Sequence, residues 1–415
     1  MKNFEQTQKL AILAVARLML FSCKKDNIEP SVPDTPTVNS QPITLDCSFF
    51  TNNPDVHLTD NPDKPVDYII TCDPATSGDF IIDAGVVIEF KSNAGLRLGK
   101  DGNGKIQMNG TADKPIILTG VQKNKGFWRG IQISSDNPAN QMSYVTIEYA
   151  GQEGRGGWAL QGSLIGAAGA VLNMDHCTVQ HGYLIGMNWL DGSLKAGELT
   201  LSNSTFTKND IPIQTSANYI NSINGTSTYT GNVNDYIKLT GDDVRKDVVF
   251  HKTDIPFFSV GFKPDNDAKR KFTFEPGVTL LMDAGSQIRF QNAFHFNHEI
   301  IMVGTANEPI TIKGAQNVPG YWTGIQVDYT SNPLNEIGFL DIANAGATNS
   351  YPNGAILLGS NDVLLNMHDV NFIDCYEYAV SIQHASEINF NHSNLNLNNT
   401  PKLFSDWNGA EVTNP

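Results

Sequence analysis

The chain has 415 residues, of which 40% are hydrophobic and 17% charged, and its formal net charge is −15. This composition is too apolar for a disordered chain, and it allows either two or three ordinary domains or one elongated solenoid. The negative charge argues against nucleic acid as a partner, and against anionic membranes and polysaccharides unless divalent cations or a local basic patch intervene.

The first 22 residues have the layout of a secretory signal. Lys2 and Lys9 precede an apolar run that is too short to span a bilayer. The run ends in Leu20-Phe21-Ser22-Cys23, which is similar to the bacterial lipobox, where the cysteine is lipidated and becomes the first mature residue. We therefore expect a lipoprotein signal over residues 1–22 and lipidation of Cys23. The alternatives are a plain cleaved signal and an N-terminal helix.

The next segment, residues 23–45, is predicted to be a flexible tether. It carries four prolines among Asp, Ser, Thr and Asn, and it has too little apolar surface to form a core. Residues 46–80 are interpreted as an N-terminal cap. In an exported protein, Cys47 and Cys72 of this cap are candidates for a disulfide that would contribute roughly 3 kcal/mol in the chain-entropy model. Two unpaired thiols are the alternative.

From about Phe80 onward the sequence consists of short apolar runs separated by Gly, Asn and Asp. The runs are three to five residues long and rich in β-branched residues, which predicts short strands rather than helices. Examples are Val86-Val87-Ile88, Ile116-Ile117-Leu118, Ile131-Gln132-Ile133 and Val145-Thr146-Ile147.

A long-period duplication organises these strands. GTADKPIILTG begins at Gly110 and GTANEPITIKG at Gly304, an offset of 194 residues, and the same offset relates GFWRGIQI at Gly126 to GYWTGIQV at Gly320. Such self-similarity indicates a repeat architecture. We assign copy 1 to residues 81–216, an irregular connector to residues 217–270, copy 2 to residues 271–402 and a C-terminal tail to residues 403–415.

Asparagines alternate with apolar residues near the end of copy 2, as in Leu395-Asn396-Leu397-Asn398. In a β-solenoid, turn asparagines can form ladders through their amides and can adopt left-handed backbone conformations. The order of the motifs, from Gly-Val-hydrophobic through GTADKPI and W-x-G-I to YVTIEYAG, resembles the right-handed parallel β-helix lipoproteins of Bacteroidota-type bacteria. The resemblance covers roughly Cys47 to Thr400. It implies an all-β, right-handed parallel β-helix with internal duplication, a cell-envelope location and a loose association with polysaccharides, because pectate-lyase-like enzymes share this coil. A shared fold does not imply a shared function.

Comparison of the two copies identifies candidate functional residues. Arg129 of copy 1 stands where copy 2 has Thr323, and Glu148 stands where copy 2 has Ala343. Charged residues and tryptophans are therefore concentrated in one loop region of copy 1. There, aromatic faces could stack on a sugar ring and charged groups could bind hydroxyls. The glycan-binding candidates are Arg129, Glu148, Glu153, Arg155, Trp158 and Trp189. An ordinary surface loop with internal Arg–Glu pairs is the alternative. Trp128 and Trp322 occupy equivalent positions and are predicted to be packing residues.

These observations favour a lipid-anchored envelope protein, expected in the outer membrane with its leaflet left open. It would bind a polysaccharide or a cell-surface protein without catalysis, as a monomer that contacts the membrane through its lipid alone. One alternative is a polysaccharide lyase or glycoside hydrolase that uses Arg129, Glu148, Glu153 and Arg155 as acid and base. Another is a structural or adhesive surface protein. We predict no metal site and no cofactor, with calcium entering only if the protein is a lyase.

Overall fold

The computed structural model describes residues 41–415 apart from residues 153–160, 168, 191–196, 292–295, 347–353, 361, 384–388, 407 and 414–415. Glu153, Arg155, Trp158 and Cys23 lie outside the described residues. One α-helix (α1, Cys47–Asn52) and one 3₁₀ helix (Ala217–Ser222) occur in the described part, which otherwise consists of strands, turns and bends. Neither helix has the length and hydrophobicity needed to cross a membrane.

The strands are short through copy 1 and lengthen toward the C-terminus. Up to the 3₁₀ helix they are Ile43–Leu45 (β1), Val56–Leu58 (β2), Tyr68–Ile70 (β3), Phe80–Ile82 (β4), Val87–Phe90 (β5), Leu96–Leu98 (β6), Ile106–Asn109 (β7), Ile116–Gly120 (β8), Ile131–Ile133 (β9), Gln141–Ser143 (β10), Val145–Glu148 (β11), Leu164–Gly166 (β12), Val171–Asp175 (β13), Thr178–Gln180 (β14), Ile185–Trp189 (β15), Glu198–Ser202 (β16), Thr205–Thr207 (β17) and Ile211–Ser216 (β18). After it they are Ile237–Thr240 (β19), Asp243–Val244 (β20), Val248–Phe250 (β21), Phe257–Ser259 (β22), Lys263–Pro264 (β23), Lys271–Phe274 (β24), Thr279–Met282 (β25), Gln287–Phe290 (β26), Glu299–Val303 (β27), Ile310–Gly314 (β28), Gly324–Val327 (β29), Glu336–Ala343 (β30), Gly354–Leu358 (β31), Leu364–Ile373 (β32), Tyr378–Ile382 (β33), Asn389–Asn398 (β34) and Lys402–Ser405 (β35).

The strands pair in parallel, each with the equivalent strand of the next coil. Successive strands of copy 1 enter three sheets in turn: β4, β5 and β6, then β7, β8 and β9. The first sheet holds β2, β4, β7, β10, β13 and β16, the second holds β1, β3, β5, β8, β11, β14 and β17, and the large sheet of fifteen strands begins with β6, β9, β12, β15 and β18. This arrangement is a parallel β-helix, as the sequence predicts.

The core lies inside the coils and follows from the period of two in each strand. In β5 the burial alternates, so Ile88 and Phe90 are fully buried while Val87 and Glu89 face outward. The inward residues stack on their equivalents one coil away, for example Ile88 on Leu118. Cys177 and Cys375 are free thiols buried within this core.

Copy 2 has the same coil as copy 1, but its strands are shifted by one sheet around the solenoid. Strands β5 and β8 belong to the second sheet, but their sequence equivalents β25 and β28 belong to the large sheet. Strands β6 and β9 belong to the large sheet, and their equivalents β26 and β29 begin a separate C-terminal sheet with β31, β33 and β35. The copies are therefore stacked in one solenoid, with equivalent strands on different faces.

The segment predicted as an irregular connector, residues 217–270, continues the solenoid and contains β19 to β23. The large sheet runs through it, because β19 pairs with β18 on one side and with β22 on the other. These strands have no counterpart in the duplication, which is why the sequence comparison missed them. The 3₁₀ helix takes the place of a first-sheet strand here, with Asn218 and Asn221 bonded to the backbone of residues 243–249.

The N-terminal cap is closed by α1 and a disulfide. Asp46 caps α1 by accepting the amide of Phe49 at 3.0 Å, and Phe50 is buried on the core. Cys47 and Cys72 are joined, with their Cα atoms 5.9 Å apart. The disulfide links α1 to the turn after β3.

Candidate functional site

Arg129 lies in the turn before β9 and is held by an acid from an earlier coil. Its Nη1 lies 3.4 Å from Oδ2 of Asp73, and Nε of Arg97 lies 3.4 Å from the same oxygen. Arg97 also donates to the Asp73 carbonyl at 2.8 Å. Two guanidinium groups thus share one carboxylate, which makes a locally basic spot on a chain of charge −15.

Glu148 ends β11 and faces outward from the second sheet. Its two carboxylate oxygens accept from Thr119 Oγ1 at 2.9 Å and from Gln180 Nε2 at 3.0 Å, one partner in each neighbouring coil. Thr119 Oγ1 also accepts from Lys123 at 3.0 Å. Glu148 is therefore part of a polar ladder across three coils.

The structure does not bring Arg129 and Glu148 together. Among the described residues neither a hydrogen bond nor an ion pair joins them. The fully buried Trp128, next to Arg129 in sequence, donates from Nε1 to the Glu148 carbonyl at 2.8 Å. The two side chains therefore form no direct pair with each other and are held by separate partners.

Trp189 does not fit the role of a sugar-stacking residue. It is the last inward residue of β15, has no exposed surface, and packs its indole against Gly166, where any larger side chain would collide with the ring. The alternation Ile185, Met187, Trp189 contained this information, because the three residues share one face of a strand.

A row on the large sheet that begins at the exposed Arg97 and ends at the buried Asn188 was missed by sequence comparison. Arg97 pairs in register with Gln132, Gln132 with Ile165, and Ile165 with Asn188. The C-terminal sheet repeats this row with Arg289, Gln326, Leu357 and Ser381. We call these the copy 1 row and the copy 2 row. Both glutamines lie in the duplicated motifs GFWRGIQI and GYWTGIQV, which were interpreted only as strand and turn signals.

One buried polar oxygen with unused hydrogen-bonding capacity lies in the copy 1 row and one lies beside the copy 2 row. In copy 1, Asn188 donates to the Gln161 carbonyl at 2.9 Å, while its Oδ1 is buried without a partner in the protein. In copy 2, Gln326 donates to Asp328 Oδ2 at 2.5 Å and to Gln291 at 3.0 Å, and Oδ1 of Asp328 is likewise buried without a partner. Burial raises the pKa of the Asp328 carboxyl, with the Gln326 hydrogen bond acting in the opposite direction.

The rows combine donors and acceptors on regular sheets. Guanidinium and amide N–H groups stand beside amide and carboxylate oxygens, with an aliphatic residue between them at Ile165 or Leu357. In the part of the chain that the structure describes, no cluster of three or more His, Cys, Asp or Glu side chains is arranged to hold a metal ion.

Comparison with known proteins returned nothing. No family model, no curated protein and no solved structure matches this chain. The case for function therefore rests on the two rows.

Proposed function

We propose that this protein binds a glycan along the copy 1 and copy 2 rows and does not catalyse a reaction on it. The observation that carries the proposal is the repetition of Arg–Gln–aliphatic–Asn/Ser in register in both copies. The arginines are exposed and the glutamines partly exposed, whereas Ile165, Asn188 and Ser381 are buried. Inward residues repeat because the core requires them, but the core places no such requirement on an outward arginine or glutamine.

The chemistry of the rows suits sugar hydroxyls. A hydroxyl both donates and accepts, so a surface that presents amide N–H and amide oxygen at regular spacing can bond to it in either sense. Neighbouring strands are about 4.8 Å apart, so each row is a straight track along the solenoid. The Arg97–Asp73–Arg129 cluster supplies the local basic patch that a carboxylated sugar would need on an acidic protein.

The proposed location is the cell envelope. The signal-like residues 1–22, the lipobox-like Cys23 and the proline-containing tether support a lipid-anchored protein, in keeping with the resemblance to Bacteroidota-type β-helix lipoproteins. A tether of this kind would hold the solenoid away from the bilayer, with the arginines and glutamines of the rows open to a polymer.

A glycan-panel screen tests the proposal. Residues 41–415 would be screened for binding, and new reducing or unsaturated ends would be assayed in the same samples with and without calcium. We expect saturable binding without turnover, weakened by Gln132→Ala. The control is Gln107→Ala, an equally half-buried outward glutamine of the first sheet. Turnover would instead establish a lyase or hydrolase, and absence of both binding and turnover would favour a structural or adhesive role.

A further inference from the structure

The C-terminal end of the large sheet is an open strand edge. β34 pairs with β32 in continuous register from Leu364↔Asn389 to Ile373↔Asn398, with a corner at Asn394, and with no other strand of the described chain. It is ten residues long, equal to β32 and longer than the other strands. Within the described residues, one side of β34 therefore has no strand to pair its backbone N–H and C=O groups.

The edge lacks the features that usually prevent strand addition. Edge strands are commonly protected by lysine, proline or inward-pointing charges, whereas residues 389–398 contain no Lys, Arg, Asp, Glu or Pro. Leu397 is 41% exposed, and Phe390 and Leu395 pack on the core while remaining only partly covered.

The opposite end of the solenoid is closed. α1 covers it with Phe50 buried and is fastened by the Cys47–Cys72 disulfide. Head-to-tail stacking would have to displace this cap. The β34 strand of a second copy can pair with β34 without displacing the cap.

We propose that two copies of this chain associate tail to tail through antiparallel pairing of their β34 strands about a two-fold axis. This is an isologous contact, in which the same surface serves both partners. Each copy carries a formal charge of −15, but the contacting strands carry none besides His392, so the repulsion between the copies is not concentrated at the interface. Sequence analysis led us to expect a monomer. An open edge becomes visible only once the pairing of the strands is known.

Side-chain amides support pairing along the same edge. Asn396 donates to Asn371 at 3.1 Å and Asn371 donates to Asp341 at 2.7 Å, so an amide ladder runs through three coils and ends at β34. Asn394 donates to Asp369 at 3.0 Å in a parallel ladder. The last asparagines of these ladders are exposed and can bond to a second copy.

Sedimentation equilibrium over a concentration series of residues 24–415 tests the proposal. We expect a monomer–dimer equilibrium, with amide exchange of residues 389–398 slowing as the dimer forms. Asn391→Lys puts a lysine on the edge strand, which opposes strand addition, and should raise the dimer dissociation constant about tenfold. The matched control is Asn366→Lys, its exposed register partner one coil inward, which should leave dissociation unchanged.

Three results would overturn the proposal. One is a monomer at all concentrations up to the solubility limit, and another is equal weakening by Asn391→Lys and Asn366→Lys. The third is a dimer of residues 41–415 that is lost in residues 24–415, which would mean that the N-terminal segment covers the edge in the same chain. Circular dichroism of each variant separates weakened association from misfolding.

Discussion

At the scale of single residues, the buried indoles show how the duplication is built. Trp128 stacks on Phe90 with ring centroids 3.9 Å apart, and its Nε1 donates to the Glu148 carbonyl at 2.8 Å. Trp322 donates to the Ala343 carbonyl at the same distance. Sequence comparison predicted both as packing residues, and their complete burial confirms it.

Trp128→Ala and Trp322→Ala should each lower the free energy of unfolding by about 3–5 kcal/mol, because each removes a fully buried indole and its hydrogen bond. Denaturant unfolding would measure this loss. The control is Tyr376→Ala, whose side chain is 51% exposed and should change stability by less than about 1 kcal/mol. A small loss at either tryptophan would contradict the packing role.

His298 is a buried residue that occurs in copy 2 alone, at the position of Gly104. Its Nδ1 accepts the Arg270 amide at 3.0 Å, and its backbone carbonyl accepts from Thr330 at 2.6 Å. Burial lowers the pKa of His298 from 6.5 to about 4. Between these two values the unfolded chain binds a proton that the folded chain does not, so stability falls as the pH falls.

The contribution of His298 should therefore be fully present above pH 6.5 and diminish toward pH 4, by about 3 kcal/mol in total. His298→Asn keeps an acceptor near the Arg270 amide but does not titrate. Unfolding free energies at pH 7 and pH 4 should differ less in this variant than in the wild type. His57→Asn, at an exposed position, is the control, and an unchanged pH dependence in His298→Asn would rule out this role.

At the scale of strands and turns, buried asparagines join successive coils. Asn140 accepts the Ile106 amide at 2.9 Å and donates to the Val171 carbonyl at 2.9 Å, so it bridges the coils on either side. Asn335 repeats the bridge in copy 2, accepting the Ile300 amide at 2.9 Å and donating to the Leu364 carbonyl at 3.2 Å.

Asn140→Ala and Asn335→Ala should each lower the free energy of unfolding by about 2–4 kcal/mol. Each leaves a buried amide and a buried carbonyl, in different coils, without a hydrogen-bond partner. Asn173→Ala, at an exposed position of β13, should be nearly neutral. Thermal or denaturant unfolding of the three variants measures these differences in stability. Equal effects at the buried and exposed positions would show that the bridges do not stabilise the stack.

The strands and the duplication could be predicted from sequence, whereas the corners could be predicted only in part. Several corner residues have positive φ in both copies, such as Tyr144 at 48° with Phe339 at 47°, and His176 at 51° with Asp369 at 52°. Bulky residues such as Tyr144 and Phe339 are uncommon in this conformation, so local propensity gives no signal at their corner. Asparagine favours it, and the asparagines near the end of copy 2 include Asn394 at 50° and Asn399 at 56°.

The candidate site was predictable only in part for a related reason. Symmetry breaking between the copies selected Arg129 and Glu148, which the structure gives separate partners. It does not select Gln132 and Gln326, because they repeat in both copies and repetition indicates a structural role. Which repeated residues face outward depends on strand register, and register is set by pairing between coils that are far apart in sequence.

At the scale of the whole molecule, the shift of copy 2 by one sheet around the solenoid separates the two rows. The copy 1 row lies on the large sheet and the copy 2 row on the C-terminal sheet. The large sheet continues over copy 2 through strands equivalent to the second sheet of copy 1, as in the pairing of β25 with β28. A single straight track along the solenoid therefore cannot include both rows.

Two separate rows predict two binding sites per chain for a short oligosaccharide. Calorimetric titration with the best ligand from the panel should give a stoichiometry near two for the wild type and near one for either single variant, Gln132→Ala or Gln326→Ala. The two sites need not have equal affinity, because Ser134 of copy 1 stands where copy 2 has Asp328.

The most direct test of the account is that titration on the double variant Gln132→Ala/Gln326→Ala, with Gln107→Ala as the control. The account predicts that the double variant loses glycan binding, while the control binds as the wild type does and all three unfold at the same denaturant midpoint. Undiminished binding by the double variant would show that the rows are not the glycan site.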